Sequence, residues 1–363
     1  MNARMAIAWR SMASGRDTGP LALLLRVLLL LPSLGYALVQ RVRTWLYRSG
    51  VLAHCRLPRP VISIGNLTVG GTGKTPLTAL VAGMLMANGM RVAVLTRGYG
   101  GSREGQTAIV SDGSSILLTA DECGDEPRLL AGLVPGLMVV MGSDRHAAGL
   151  LALETLRPDI FILDDGYQHL RLQRDLNILL LDHARPFGNG LCLPAGMLRE
   201  PAVAAERADL VIHTRCPAGV SEATVVPRFE VPECCARYVL TDLEPLRGGT
   251  ASSYGDIAAV RVMACAGIAE PDSFFDGLRQ RGVHLVATVP LGDHAEYGPQ
   301  TVAALEVTFR DSGADLLLTT AKDGVKMAHV PESLAAKTMI CRLVLILNDP
   351  KPLETALRNL LQK

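Results

Sequence analysis

No two of the eight cysteines are spaced as a CxxC pair, and Cys234 and Cys235 are chain neighbours, which rarely bridge each other. Neither a secreted disulfide framework nor a cysteine-held zinc site is indicated, so a reducing, cytosolic setting is expected. Aromatic residues are only 4% of the 363. That scarcity argues against a base-stacking surface for nucleic acid. Acidic residues are missing altogether between Asp17 and Glu104, an interval that holds nine arginines and Lys74. The formal net charge is +1, so the first third is basic and the rest net acidic. A basic face of this kind suits anionic partners such as phospholipid headgroups or phosphorylated substrates. It carries no recognised nucleic-acid motif, so no nucleic-acid partner is expected.

What is present begins with an apolar run, Pro20 to Val39, about as long as a bilayer span and interrupted by Arg26 and Pro32. Its apolar residues surround the helix rather than forming one stripe. Five arginines between Arg41 and Arg59 follow it and favour a cytosolic C-terminal side, with Trp45 and Tyr47 at headgroup level. Residues 1–48 therefore read as a membrane-associating segment, either a span or a broken helix lying in the interface.

From Pro60 onward, apolar runs of strand length alternate with helical patterns. "PVISIGN", "RVAVLT", "LMVVMG", "DIFILDDG", "LNILLLD" and "ADLVIHT" read as strands, with helices between most of them. The expected fold class is α/β, P-loop NTPase-like, with a mainly parallel sheet flanked by helices. Residues 49–215 are assigned to this core. Residues 216–256 read as an irregular, proline-containing connection that could hold an antiparallel element, and 257–363 as a smaller second α/β domain.

The stretch "TVGGTGKTP" supplies the first chemistry. A strict phosphate loop reads GxxxxGK[ST], and the first glycine is here Thr68. The physics survives that substitution. Thr68, Val69, Gly70, Gly71, Thr72 and Gly73 form a loop whose glycines let backbone amides converge on phosphate oxygens. Lys74 adds positive charge at the terminal phosphates, and Thr75 offers a hydroxyl to Mg²⁺. Pro76 suits the first turn of the helix that follows, whose N-terminus attracts anions. "IFILDDG" then places Asp164 and Asp165 at a strand end, where either carboxylate can hold Mg²⁺. A phosphate loop of this kind says nucleotide binding, and does not separate a kinase from an ATPase switch on a membrane anchor.

Eight phrases occur in a fixed order: "GNLTVGGTGKTP", "TRGYGG", "GDEPRLLA", "DDGYQH", "LPAGMLREP", "AGIAEPDSFF", "GDHAEY" and "TTAKDGVKM". Together they resemble the tetraacyldisaccharide 4'-kinases, the lipid A 4'-kinases of Gram-negative bacteria, from the apolar helix to about residue 327. The resemblance implies transfer of the ATP γ-phosphate, with Mg²⁺, to the 4'-hydroxyl of an acylated glucosamine disaccharide 1-phosphate. The implied setting is the cytoplasmic face of the bacterial inner membrane. It implies Asp125 and His294 as the catalytic pair. It also implies Tyr99, Arg145 and His169 as acceptor-binding residues, and Arg199 and Glu200 as part of a loop closing over nucleotide. Two positions depart from the family pattern: Ala295 follows His294 where a second histidine is usual, and Ala321 stands where the family has an acid.

Overall fold

Strands that are apolar at every position need cover on both faces, and the chain supplies it by alternating strand and helix. The computed structural model describes residues 9–362 except Arg16, Thr18, Ala218, 221–226 and His294. Seven strands form the first half. In chain order they are β1 (Val61–Asn66), β2 (Val92–Thr96), β3 (Ala108–Asp112), β4 (Met138–Met141), β5 (Ile160–Asp164), β6 (Leu176–Asp182) and β7 (Leu210–Thr214). Every residue of β1, β2, β5 and β7 is buried. They lie in the order β3-β4-β2-β5-β1-β6-β7, and all neighbours are parallel except β3, which closes the edge antiparallel to β4.

Successive side chains alternate between two cores. Ile62, Ile64, Ile160 and Ile162 pack with Leu77, Val81 and Leu85 of the helix Lys74–Ala87. Val61, Phe161 and Leu163 face the other way, onto Ala148 and Ala152 of the helix Arg145–Thr155. Because β1 and β5 are adjacent and parallel, the loops leaving their C-terminal ends, residues 67–73 and 165–175, emerge side by side. That is where open α/β sheets bind ligands.

The segment expected to be irregular, 216–256, contains β8 (Glu233–Pro245), a 13-residue strand. Its first three residues pair parallel with β7, and Ala236–Pro245 pair antiparallel with β12 (Thr338–Leu347). The antiparallel element is thus present, but as a long strand that carries the sheet into the second half. There β9 (Val262–Ala266), β10 (Leu285–Pro290) and β11 (Leu316–Thr320) join β12 in the order β10-β9-β11-β12, all parallel. Two further apolar cores cover this part, one centred on Phe274, Phe275 and Leu278, the other on Leu305, Phe309 and Leu317.

The N-terminal run forms two helices, Pro20–Leu28 and Leu30–Arg48, bent by 47° at their junction. Among the described residues no single helix is long and apolar enough to cross a membrane; the bent pair together has the length and composition. One face of the second helix is fastened to the body. The Ser33 hydroxyl donates to the Cys192 carbonyl at 2.6 Å, the Tyr36 hydroxyl to Arg199 at 3.0 Å, and the Arg43 guanidinium to Gln168 at 2.9 Å. The opposite face leaves Leu31, Leu34, Leu38, Val42 and Trp45 exposed, at a spacing that puts them in one stripe.

Candidate active site

The phosphate loop follows β1 and ends at Gly73, which caps the helix Lys74–Ala87 in a left-handed conformation, φ 81°. Gly70 is also at positive φ, 125°, so the turn uses its glycines for conformations other residues rarely adopt. No side chain caps this helix, so its first amides remain available to an anion. Thr72 is buried, and its Oγ1 has no hydrogen-bond partner. Lys74 opens the helix, and Thr75 and Pro76 complete its first turn. The start of the loop is stitched to the segment 197–199: Val69 N donates to Met197 O at 2.8 Å and Arg199 N to Leu67 O at 2.7 Å.

The two strand-end acids lie in opposite electrostatic settings. Asp164 is buried and accepts a hydrogen bond from the Thr78 hydroxyl at 2.9 Å. Burial, with the charges of Glu126 and Asp165 beside it, pushes its carboxyl up to about 7. Asp165 turns away through a left-handed backbone, φ 52°. Its oxygens accept from Arg199 Nη1 at 2.9 and 2.8 Å, and Lys74 Nζ stands 3.6 Å away. Burial would raise Asp165, but Lys74 and Arg199 hold it below the ordinary carboxylate range. Lys74 is placed from a second side by Asn66 Oδ1 at 3.3 Å.

These residues fit a nucleotide with Mg²⁺. The loop offers amides, one ammonium and an unpartnered hydroxyl to phosphate. Asp164, Asp165 and Glu126 concentrate negative charge that a divalent cation would offset. Among the described residues no group of three or more His, Cys, Asp or Glu side chains forms a metal cage by itself. Mg²⁺ does not need one, because it is usually held by one or two carboxylates plus phosphate oxygens and water.

Asp125 begins the helix Asp125–Leu133 and is only 6% exposed. Gly124 brings it close to the "TRGYGG" loop: φ is 89°, and a Cβ there would lie 2.3 Å from the Tyr99 carbonyl oxygen. The second half reaches Asp125 from the far side. Lys322 Nζ and Lys326 Nζ stand 3.8 and 3.7 Å from its Oδ2. Lys322 also contacts Asp293 at 3.4 Å, while Lys326 donates to the Ala295 carbonyl at 3.0 Å and pairs with Asp323 at 3.5 Å. His294 lies outside the described residues, but both its chain neighbours are tied to the lysines that contact Asp125. Arg10 joins the same cluster through Asp293 at 3.2 Å. Sequence reasoning missed Lys326 and Arg10 here, and gave Lys322 no role. The run "AKDGVK" on a helical turn was the available signal, since residues four apart share a face.

Of the three acceptor candidates, Arg145 and His169 lie near each other, and Tyr99 is 61% exposed on its loop. Arg145 is buried, with Nη1 donating to the Gly142 carbonyl and Nε without a partner. Burial pulls its guanidinium down to about 10, against the pull of Asp164 and Asp165. His169 Nε2 is likewise buried and unpartnered. Burial and the Arg145 and Arg174 charges hold this imidazole down at about 4, so it is neutral at pH 7. Arg199 faces Asp165, whereas Glu200 points the other way. Glu200 is buried and accepts from both Arg207 amino groups, at 2.8 and 2.9 Å, and Arg207 lies over the Tyr167 ring.

Residues 25–362 match the family model of tetraacyldisaccharide-1-P 4'-kinases. A tetraacyldisaccharide 4'-kinase of Pelobacter propionicus is 56% identical over 100% of both chains. One from Geobacter sulfurreducens is 53% identical over 97% of this chain and 98% of its own. Among solved structures, LpxK from Aquifex aeolicus in complex with ATP is 32% identical, covers 93% of this chain and 99% of its own, and superposes with a TM-score of 0.78.

Proposed function

The chain belongs to the tetraacyldisaccharide-1-P 4'-kinase family, and from that premise we propose how its own residues perform the transfer. ATP would place its phosphates against the loop amides from Gly70 onward and the Lys74 ammonium. Thr75, Asp164 and Asp165 are the residues that would hold Mg²⁺, which would neutralise charge on the transferring phosphoryl group. Arg199 holds Asp165 in place, and Glu200 fixes Arg207 behind the same loop.

The acceptor is an acylated glucosamine disaccharide 1-phosphate, oriented by Tyr99, by the buried Arg145 fork and by neutral His169. Its 4'-hydroxyl oxygen forms the new bond to the γ-phosphorus as the bond to the β–γ bridging oxygen breaks, leaving ADP. Asp125 and His294 together take the hydroxyl proton. Lys322 and Lys326 hold the Asp125 carboxylate from the side of the second half, so residues 257–363 complete a site whose nucleotide half lies in 49–215.

The single observation that supports this reading is the contact of Lys74, from the loop after β1, with the unequal acid pair at the end of the adjacent parallel strand β5; the contact of Asp125 with lysines from the other half accords with it. The exposed apolar stripe of the helix Leu30–Arg48 rests on the cytoplasmic surface of the inner membrane, where an acylated substrate resides. The test is mass spectrometry of the lipid after incubation with Mg-ATP. Lipid gaining a phosphoryl group is expected; hydrolysis of ATP with unchanged lipid would favour an ATPase switch instead.

A further inference from the structure

Holding phosphate with backbone amides places a demand on the outside of the loop. In a trans peptide the C=O and the following N–H point in opposite directions. An amide turned inward therefore turns its own carbonyl outward, and that carbonyl needs a donor.

Two side chains meet the outward carbonyls. Arg215 Nη2 donates to the Gly71 carbonyl at 2.6 Å, which fixes the peptide carrying the Thr72 N–H. The Tyr238 hydroxyl donates to the Thr72 carbonyl at 3.0 Å, which fixes the peptide carrying the Gly73 N–H. Tyr238 stands so close that a Cβ on Gly73 would lie 1.3 Å from its hydroxyl oxygen. Burial raises this phenol well above its ordinary value, so it remains a donor across the working pH range.

Arg215 follows β7 with a left-handed backbone, φ 60°, uncommon for a residue with a side chain. Its Nη1 donates to Asp182 Oδ2 at 3.0 Å and to Glu270 Oε2 at 3.1 Å. Asp182 ends β6, in the same half as the loop. Glu270 precedes the helix Pro271–Gln280, in the other half. One guanidinium thus joins the phosphate loop to both halves of the sheet.

We propose that Arg215 and Tyr238 are positioning residues that brace the outer side of the nucleotide-phosphate loop, and that Glu270 couples this brace to the C-terminal half. The proposal rests on residues 68–75 being that loop. Neither brace residue touches phosphate. Each holds one peptide plane so that its N–H faces the nucleotide.

The test uses the full chain with Mg-ATP in a calorimeter, and steady-state kinetics for both substrates. Arg215→Met keeps the stem and removes the donors; Tyr238→Phe removes one hydroxyl. Each should weaken ATP binding about three- to tenfold, the scale of one lost hydrogen bond. The ATP KM should rise with it and the lipid KM should not. Arg215→Lys should recover part of the loss. Glu270→Gln should weaken ATP binding about twofold in the wild-type background and have no effect beside Arg215→Met, because groups acting as one unit are non-additive.

Unchanged ATP affinity in Tyr238→Phe and Arg215→Met, even with a lowered melting temperature, overturns the brace. If Arg215→Met does not fold, Tyr238→Phe decides alone. A Glu270→Gln effect that persists in the Arg215→Met background overturns the coupling. Lys74→Ala separates the premise from the proposal. If it too binds ATP normally, the loop reading itself is wrong; if it is impaired while the brace variants are normal, only the brace falls.

Discussion

Asp125→Asn is the substitution whose consequences the structure specifies most fully. The asparagine keeps the shape of the side chain and removes its charge and basicity. In the wild type, two ammonium groups lie 3.7 and 3.8 Å from Oδ2 in a nearly buried setting. At an effective dielectric near 20, each contact corresponds to about 4 kcal/mol of attraction before desolvation is counted. Losing the carboxylate does not strand the lysines, because Lys322 retains Asp293 and Lys326 retains Asp323. The net loss of stability should therefore fall below the ~3–5 kcal/mol typical of a broken buried pair, at about 1–3 kcal/mol. In a chain of this size that is a drop of several degrees in melting temperature, leaving the protein folded at assay temperature. Turnover should suffer far more. A sugar hydroxyl is a poor nucleophile at neutral pH, and loss of a positioned base costs about 10²–10⁴ in rate. ATP affinity should hardly change, since the phosphate loop and its partners are untouched. The assay is single-turnover transfer to lipid under saturating Mg-ATP, beside calorimetric ATP binding and a thermal melt. A wild-type rate in the folded variant would refute the role of Asp125. Weak ATP binding with a normal rate at saturation would refute the division of labour between Asp125 and the loop.

Further expectations follow from the same geometry. Lys74→Ala should lower turnover by about 10²-fold or more if, as proposed, its ammonium meets developing phosphoryl charge; near-normal rates at saturating ATP would be incompatible with the assignment. His169 has a folded-state pKa of about 4, below the ordinary value of 6.5, so the fold favours the neutral ring. Its contribution to stability is full above pH 6.5 and drains as pH falls from 6.5 through 4. After discounting for partial exposure this amounts to about 1–2 kcal/mol. His169→Gln should flatten the melting temperature over that pH window by a matching amount, and an unaltered slope would show that the imidazole is not held neutral. Replacing Leu31, Leu34 and Leu38 together by serine should move the protein from sedimented vesicles to the supernatant with its melting temperature nearly intact, since these side chains are exposed; unchanged sedimentation would place the membrane contact elsewhere.

Much of this site could be read from local sequence, and the reason is physical. The phosphate loop and the strand-end acids are each set by a short segment: glycines, a lysine and a helix start in 68–76, an apolar run and two aspartates in 160–165. The parallel sheet was legible because buried strands of five or six apolar residues alternate with helical patterns. What escaped was set by pairing across long separations. The strand β8 reads "ECCARYVLTDLEP", with charge along its length, and becomes a strand only by joining β7 at one end and β12, about a hundred residues later, at the other. The proximity of Lys322 and Lys326 to Asp125 depends on that same join, since it orients the second half. Arg215 gave no local signal, because its importance lies in a carbonyl more than a hundred residues earlier. Glu200 shows the opposite error: adjacent to Arg199 in the sequence, it faces the other way because neighbouring side chains in an extended segment point apart.

The most direct measurement follows the γ-phosphate itself. Labelled Mg-ATP and the acylated disaccharide 1-phosphate would be incubated with the purified chain in detergent or vesicles, counting ADP formed and label in the lipid, and locating the new phosphate on the sugar by nuclear magnetic resonance. The account predicts one lipid phosphate for each ADP, at the 4' position, with little ADP formed when the lipid is omitted. ADP released at the same rate with and without lipid, and no label in the lipid, would contradict it.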